Sequence, residues 1–155
     1  MVGEMLRGLY QVALDAKGRM AIPQRHREQL EQMGAERLVM TVDLDHCLLL
    51  YPMATWLVIE RQLAALPSLD RRARSLQRLL LGHAAELKQD GNGRILVPAT
   101  LRQFAQLDKQ VMVVGQGKKL ELWDEARWHE ACEGWLKDHA DKGERLTAEL
   151  EGLAL

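Results

Sequence analysis

The chain has 155 residues, of which 47% are hydrophobic and 28% charged, with 21 Lys and Arg against 22 Asp and Glu and a formal net charge of −1. That is enough for one ordinary core or two small intertwined ones, with no apolar run near the roughly 20 residues that cross a bilayer and no secretory leader pattern. Two cysteines, Cys47 and Cys132, make no disulfide framework and fit a reducing cytoplasm.

Met1 to Glu4 carry no structural signal, and Met5 reads as the functional start. Leu9 to Leu14 begin a first strand, and Met20 and Ile22 alternate with Ala21 in a second. Between them Asp15-Ala16-Lys17-Gly18 reads as the turn of a short hairpin. Asp bonds its own backbone two residues on, and Gly supplies a positive φ. Pro23 suits the first position of a helix, where its missing N–H costs nothing. That helix places His26, Leu30 and Met33 on one stripe and stops at Gly34. Arg37 to Val42 and Cys47 to Tyr51 are strands around an Asp43–His46 turn. Pro52 opens a helix with Trp56, Ile59, Leu63 and Leu66 at helical spacing. Asp70 caps a third helix, which carries Leu76, Leu79 and Leu80 on one side and Arg71, Arg72, Arg74 and Arg78 around the rest, closed by Gly82. Strands follow at 84–88 and 94–97, a helix from Pro98 to Ala105, and strands at 111–114 and 120–123. A last helix, 125–140, clusters Trp128, Cys132 and Trp135. The tail from Lys142 is charged.

Part of this order is a repetition. Asp90, Gly93, Arg94, Pro98 and Arg102 stand 75 positions after Asp15, Gly18, Arg19, Pro23 and Arg27. Leu48–Trp56 and Leu120–Trp128 match at 72 positions, so one short deletion separates the blocks. An internal repeat decides the architecture before anything else does. Each half is too small to bury its own core and has neither metal ligands nor disulfides. The two halves are therefore expected to pack on each other about a pseudo-twofold axis.

The doubled Asp-x-x-x-Arg motif, Gln77-Arg78-Leu79-Leu80-Leu81-Gly82-His83-Ala84, the Leu48–Pro52 strand exit and Glu121-Leu122-Trp123-Asp124 carry a resemblance. From Met5 to about Trp135 the chain resembles the MraZ family of bacterial DNA-binding transcriptional regulators. It departs from the family pattern in Met1–Glu4, which precede the usual start, and in Leu6, where the family commonly has Phe. The resemblance implies an α+β fold: two pseudo-twofold-related, AbrB-like swapped-hairpin units forming a small barrel-like core, with additional packing helices. The expected division is a first repeat at 7–54, a helical connection at 55–82, a second repeat at 83–126, and a C-terminal helix and tail at 127–155. It further implies a ring-shaped homo-oligomer on repeated promoter boxes of double-stranded DNA, upstream of the division and cell-wall gene cluster that includes its own gene. Such a protein is cytoplasmic and nucleoid-associated.

Local charge agrees with that expectation better than the net charge does. Lys17, Arg19, Arg25 and Arg27 are crowded into eleven residues with no acid among them. An arginine at a β-turn tip can meet phosphates or donate its two-pronged fork to guanine O6 and N7. Arginines at a helix start can reach a phosphate that the helix end also attracts. Lys17, Arg19, Arg25, Arg27 and Arg94 are the expected DNA contacts, and Asp15, Gly18, Asp90 and Gly93 the expected shape of the motif. At matched positions Lys17 becomes Asn92 and Arg25 becomes Thr100, so the first repeat is expected to contact DNA more strongly. The arginine face of 71–78 reads as a solubilising or ion-pairing surface.

His46-Cys47 and His129-x-x-Cys132 each offer only two ligands, which do not make a zinc site. Neither metal nor cofactor is expected. His83 near Glu86 has no nucleophile, phosphate loop or paired base beside it, so no enzyme is expected. The rivals are an AbrB-fold antitoxin-like partner-binding protein, against which the structured second repeat argues, and a small-barrel hydrolase, which no constellation supports.

Overall fold

The structure is a computed structural model describing residues 5–140 and 147–155. The four-residue extension ahead of Met5 and the start of the charged tail lie outside the described residues. The described residues form two compact units, divided between Glu125 and Ala126.

In the first unit the chain runs β1 (Leu9–Ala13), β2 (Arg19–Ala21), α1 (Gln24–Gln32), β3 (Arg37–Val42), β4 (Leu48–Pro52), α2 (Met53–Ala64) and α3 (Arg71–Leu80). The second repeat supplies β5 (Ala85–Lys88), β6 (Arg94–Leu96), α4 (Ala99–Ala105), β7 (Gln110–Gly115) and β8 (Leu120–Asp124). The fold is α+β as expected. Six strands form one open antiparallel sheet in the order β1-β7-β8-β4-β3-β5, and β2 and β6 form a separate two-stranded ribbon. The core is small and built as a barrel would be, but the sheet does not close.

The hairpin reading of residues 9–22 needs correction. The turn closes through Asp15 N–H to the Arg19 carbonyl at 2.9 Å and Gly18 N–H to the Asp15 carbonyl at 3.0 Å. Its two strands then part. β1 pairs with β7 and β2 with β6, both in the other repeat, and β5 pairs with β3. Each repeat thus lends its turn-flanking strands to its twin, which is how halves too small for a core of their own obtain one.

The axis relating the repeats can be located from register alone. In the ribbon Met20 faces Ile95; these residues stand 75 positions apart, so the pair is its own image. In the sheet Leu49 faces Glu121, 72 positions apart, and this pair too is its own image. The axis therefore passes through both pairs. Around it lies the main core, where Met20, Ile22, Ile95 and Val97 meet Leu30 and Leu101 from the two helices and Leu38, Leu48, Leu50, Leu120 and Leu122 from the sheet. β4 is buried along its whole length because both sheet faces are covered there. Its other face, with Val39, Leu49 and Tyr51, packs on Trp56 and Leu63 of α2. The Gln77 amide donates to the Leu63 carbonyl at 2.7 Å, and the Thr41 hydroxyl to the Leu80 carbonyl at 2.6 Å, fixing α3 to α2 and to the sheet.

Helix boundaries follow local chemistry. Pro23, Pro52 and Pro98 are N-caps with extended ψ of 137°, 142° and 143°, so each helix begins one residue after the proline expected to open it. Asp70 caps α3 by accepting from the N–H groups of Arg72 and Ala73. Gly34, at φ +72°, ends α1 as expected. The second unit consists of most of α5 (Glu125–Ala140) and of α6 (Ala148–Glu151). Trp128 and Trp135 meet edge to face on α5 with centroids 5.6 Å apart, and Thr147 caps α6. Among the described residues no helix is long and apolar enough to cross a membrane.

Candidate nucleic-acid interface

The two Asp-x-x-x-Arg segments fold into nearly identical clamps. Asp15 Oδ1 accepts from the backbone N–H of Lys17 at 2.9 Å and of Arg19 at 2.8 Å, while Oδ2 takes Arg19 Nε at 2.9 Å. Asp90 does the same with the N–H groups of Asn92 and Arg94 at 2.8 and 3.0 Å and with Arg94 Nε at 2.9 Å. The spacing has a plain reason: one carboxylate closes the turn with one oxygen and aims the arginine with the other. Nε is thereby occupied, and no protein acceptor engages the Nη groups of Arg19 or Arg94 among the described residues.

These hydrogen bonds, first of all from the Arg19 and Arg94 backbone, hold both aspartates below the usual carboxylate range. A carboxylate whose folded pKa is lowered keeps its bonds at every pH above the ~3.9 of an unfolded aspartate and loses them as pH falls through the lower folded value. Both clamps are closed at neutral pH.

The turns flank the ribbon, and the ribbon has an inside and an outside. Met20 and Ile95 are buried, so their strand neighbours Arg19, Ala21, Arg94 and Leu96 point to the opposite face. Arg19 lies across from Leu96 at one end and Arg94 across from Ala21 at the other. The two arginine backbones are thus two pair steps apart, about 7 Å along the strand. Lys17 is exposed in the first turn and Arg25 in the first turn of α1, which holds no acid.

Arg27 belongs to a different layer. It is half-buried, and its guanidinium crosses to the other repeat to lie over Gly93, in the space where a Cβ would be. Its twin Arg102 lies over Gly18 and donates from Nε to the Val97 carbonyl at 3.1 Å. The reciprocal packing explains why both glycines are required: each has positive φ, +87° and +72°, and each has an arginine where a side chain would go. The structure thus brings Lys17, Arg19, Arg25 and Arg94 to the outside of one ribbon and its flanks, with Arg27 beneath the second turn.

Sequence reading missed two features. Leu96 is 55% exposed on the ribbon face, which the alternation Ile95-Leu96-Val97 does signal. His26 and Gln29 are buried polar residues of α1 that anchor the N-terminal segment. His26 Nε2 bonds the Arg7 carbonyl at 3.0 Å and the Gln29 amide donates to the Met5 carbonyl at 3.1 Å. Their placement on an apolar helical stripe was the available sign.

Away from this face, the structure brings Asp43, Cys47 and Glu121 together. Burial, then the neighbouring Glu121 and Asp43 carboxylates, push the Cys47 pKa up, and its Sγ–H donates to Asp43 Oδ2 at 3.7 Å. At neutral pH it is a buried thiol, whereas metal binding uses the thiolate.

Comparison with known proteins gives one consistent result. The family model described as "MraZ protein, putative antitoxin-like" matches residues 5–79 and again 80–148. The chain is 51% identical over 152 residues to the "Transcriptional regulator MraZ" of Halorhodospira halophila, covering 97% of this chain and all of that protein. It is 50% identical over 151 residues to the protein of the same name from Thioalkalivibrio sulfidiphilus, again covering 97% and 100%. To that of Yersinia pestis it is 47% identical over 152 residues, with the same coverage.

Proposed function

The chain belongs to the MraZ family and is a transcriptional regulator of that type, not an enzyme; from that premise we propose that it binds double-stranded promoter DNA through the β2–β6 ribbon and its two clamped turns. One observation carries this reading: two aspartate-aimed arginines with unengaged Nη groups stand at opposite ends of the outward face of one β-ribbon. A two-stranded ribbon fits the major groove. There Arg19 and Arg94 read guanine edges, Lys17 and Arg25 hold phosphates, and Arg27 supports the second turn from beneath, which places it at the site without direct exposure to bases. Asp15, Gly18, Asp90 and Gly93 shape the turns. The DNA consists of repeated boxes upstream of the division and cell-wall gene cluster that includes the protein's own gene, and the protein works in the cytoplasm, on the nucleoid.

The protein acts as a homo-oligomer, a ring in which the Lys17–Arg27 faces stand side by side. With a net charge of −1, one subunit has little long-range attraction for DNA. Several linked faces raise each other's effective concentration on repeated boxes. Light scattering at micromolar concentration is expected to give a multiple of 17.6 kDa; the monomer mass would overturn this part.

The two halves contribute unequally. The first repeat offers Lys17, Arg19 and Arg25 outward, and the second offers Arg94, with neutral Asn92 and Thr100 at the positions matching Lys17 and Arg25. Each phosphate contact contributes about 0.9 to the slope of log affinity against log salt. Lys17→Ala with Arg25→Ala is expected to flatten that slope by up to about 2 per engaged subunit, and Arg94→Ala by at most about 1. A salt series with upstream DNA, on proteins of unchanged thermal midpoint and oligomer size, measures both. Equal slopes for wild type and the double variant would contradict the asymmetry.

A further inference from the structure

We propose that Leu96 is a base-reading residue: resting on the DNA-binding function above, it packs on the 5-methyl group of a thymine beside the base read by Arg19. Leu96 stands on the outward face of the ribbon and belongs to neither hydrophobic cluster. Its neighbours Ile95 and Val97 fill the core, whereas Leu96 is 55% exposed. It is not at a random place on the surface. It lies directly across the ribbon from Arg19, so the two side chains stand roughly 5 Å apart at their Cβ atoms and meet the same stretch of groove. The Asp15 clamp aims the arginine, and Leu96 supplies the adjoining apolar surface. In the major groove the one apolar feature of a base pair is the thymine methyl.

The repeat makes the assignment specific. The residue equivalent to Leu96 is Ala21, which lies across from Arg94. The two ends of the ribbon are therefore unlike: arginine with a large apolar neighbour, and arginine with a small one. Leu96 extends far enough from the strand to bury a methyl group against itself; Ala21 is a single carbon. The preference for thymine belongs to the Arg19 end of the ribbon.

The test compares upstream DNA carrying thymine with the same fragment made with deoxyuridine, which lacks only the methyl. Wild type is expected to lose about fourfold in affinity for each methyl buried. Leu96→Ser, in which an exposed strand position keeps a small side chain, is expected to bind the thymine fragment more weakly and to lose most of its discrimination between the two fragments. Thermal midpoint and oligomer size are measured for both proteins. If wild type binds both fragments equally, or if Leu96→Ser keeps the full thymine preference, Leu96 does not read the methyl although DNA binding stands. If wild type binds the upstream fragment no better than scrambled DNA of equal length, the function on which the inference rests falls, and the inference with it.

Discussion

Replacing Ile95 by alanine is expected to lower the unfolding free energy by about 2–5 kcal/mol, the usual range for truncating a fully buried isoleucine. The residue is 1% exposed and part of the main core. Typical domains have only about 5–15 kcal/mol in total, so this one change removes a large share. Its position adds a second expectation. Ile95 faces Met20 on the pseudo-twofold axis, and each repeat's ribbon strand is completed by the other. Neither half can therefore lose its core alone. Denaturant titration followed by backbone and tryptophan signals is expected to show one transition, shifted to lower denaturant. A second transition from a half that stays folded would contradict the interleaved architecture.

Much of that architecture is legible in the residues, and the exceptions share a cause. The prolines at 23, 52 and 98, the Asp70 cap and the Gly34 stop locate the helices because each acts on backbone only a few positions away. The repeat is visible because chain numbering preserves it. Partner choice is different. Alternation in Val12–Leu14 and Met20–Ile22 shows which face of a strand is buried but not which strand lies beside it. A turn of hairpin chemistry therefore read as a hairpin, although its strands pair with β7 and β6. The open sheet has the same origin, since closure depends on geometry far from any single motif.

The site was readable to a similar depth. Asp-x-x-x-Arg announces a turn with an aimed arginine because carboxylate, backbone N–H groups and guanidinium all lie within five residues. The charge count from Lys17 to Arg27 could not separate outward from crossing side chains. Arg25 is exposed, while Arg27, two positions on along the helix, turns by about 200° and reaches Gly93 of the other repeat. Leu96 gained its meaning only when the register put it opposite Arg19.

Arg19→Ala is expected to abolish preferential binding to the upstream DNA while leaving the protein folded. The side chain is 38% exposed and its ion-pair partner is the similarly exposed Asp15, so stability is expected to change little. Binding changes far more. A well-placed arginine discriminates its base by about 1–3 kcal/mol, a factor of roughly 5 to 150 at each engaged subunit, and the loss recurs wherever a subunit meets a box. Arg19→Lys is expected to fall between, because an ammonium keeps the attraction to phosphate but lacks the planar fork. The most direct measurement is anisotropy titration of labelled upstream DNA and scrambled DNA of equal length with wild type, Arg19→Lys and Arg19→Ala, all at one salt concentration and with matching thermal midpoints. Wild type should separate the two DNAs clearly and Arg19→Ala should bind both weakly and alike. A folded Arg19→Ala protein that keeps wild-type affinity for the upstream fragment would place the DNA-reading surface elsewhere.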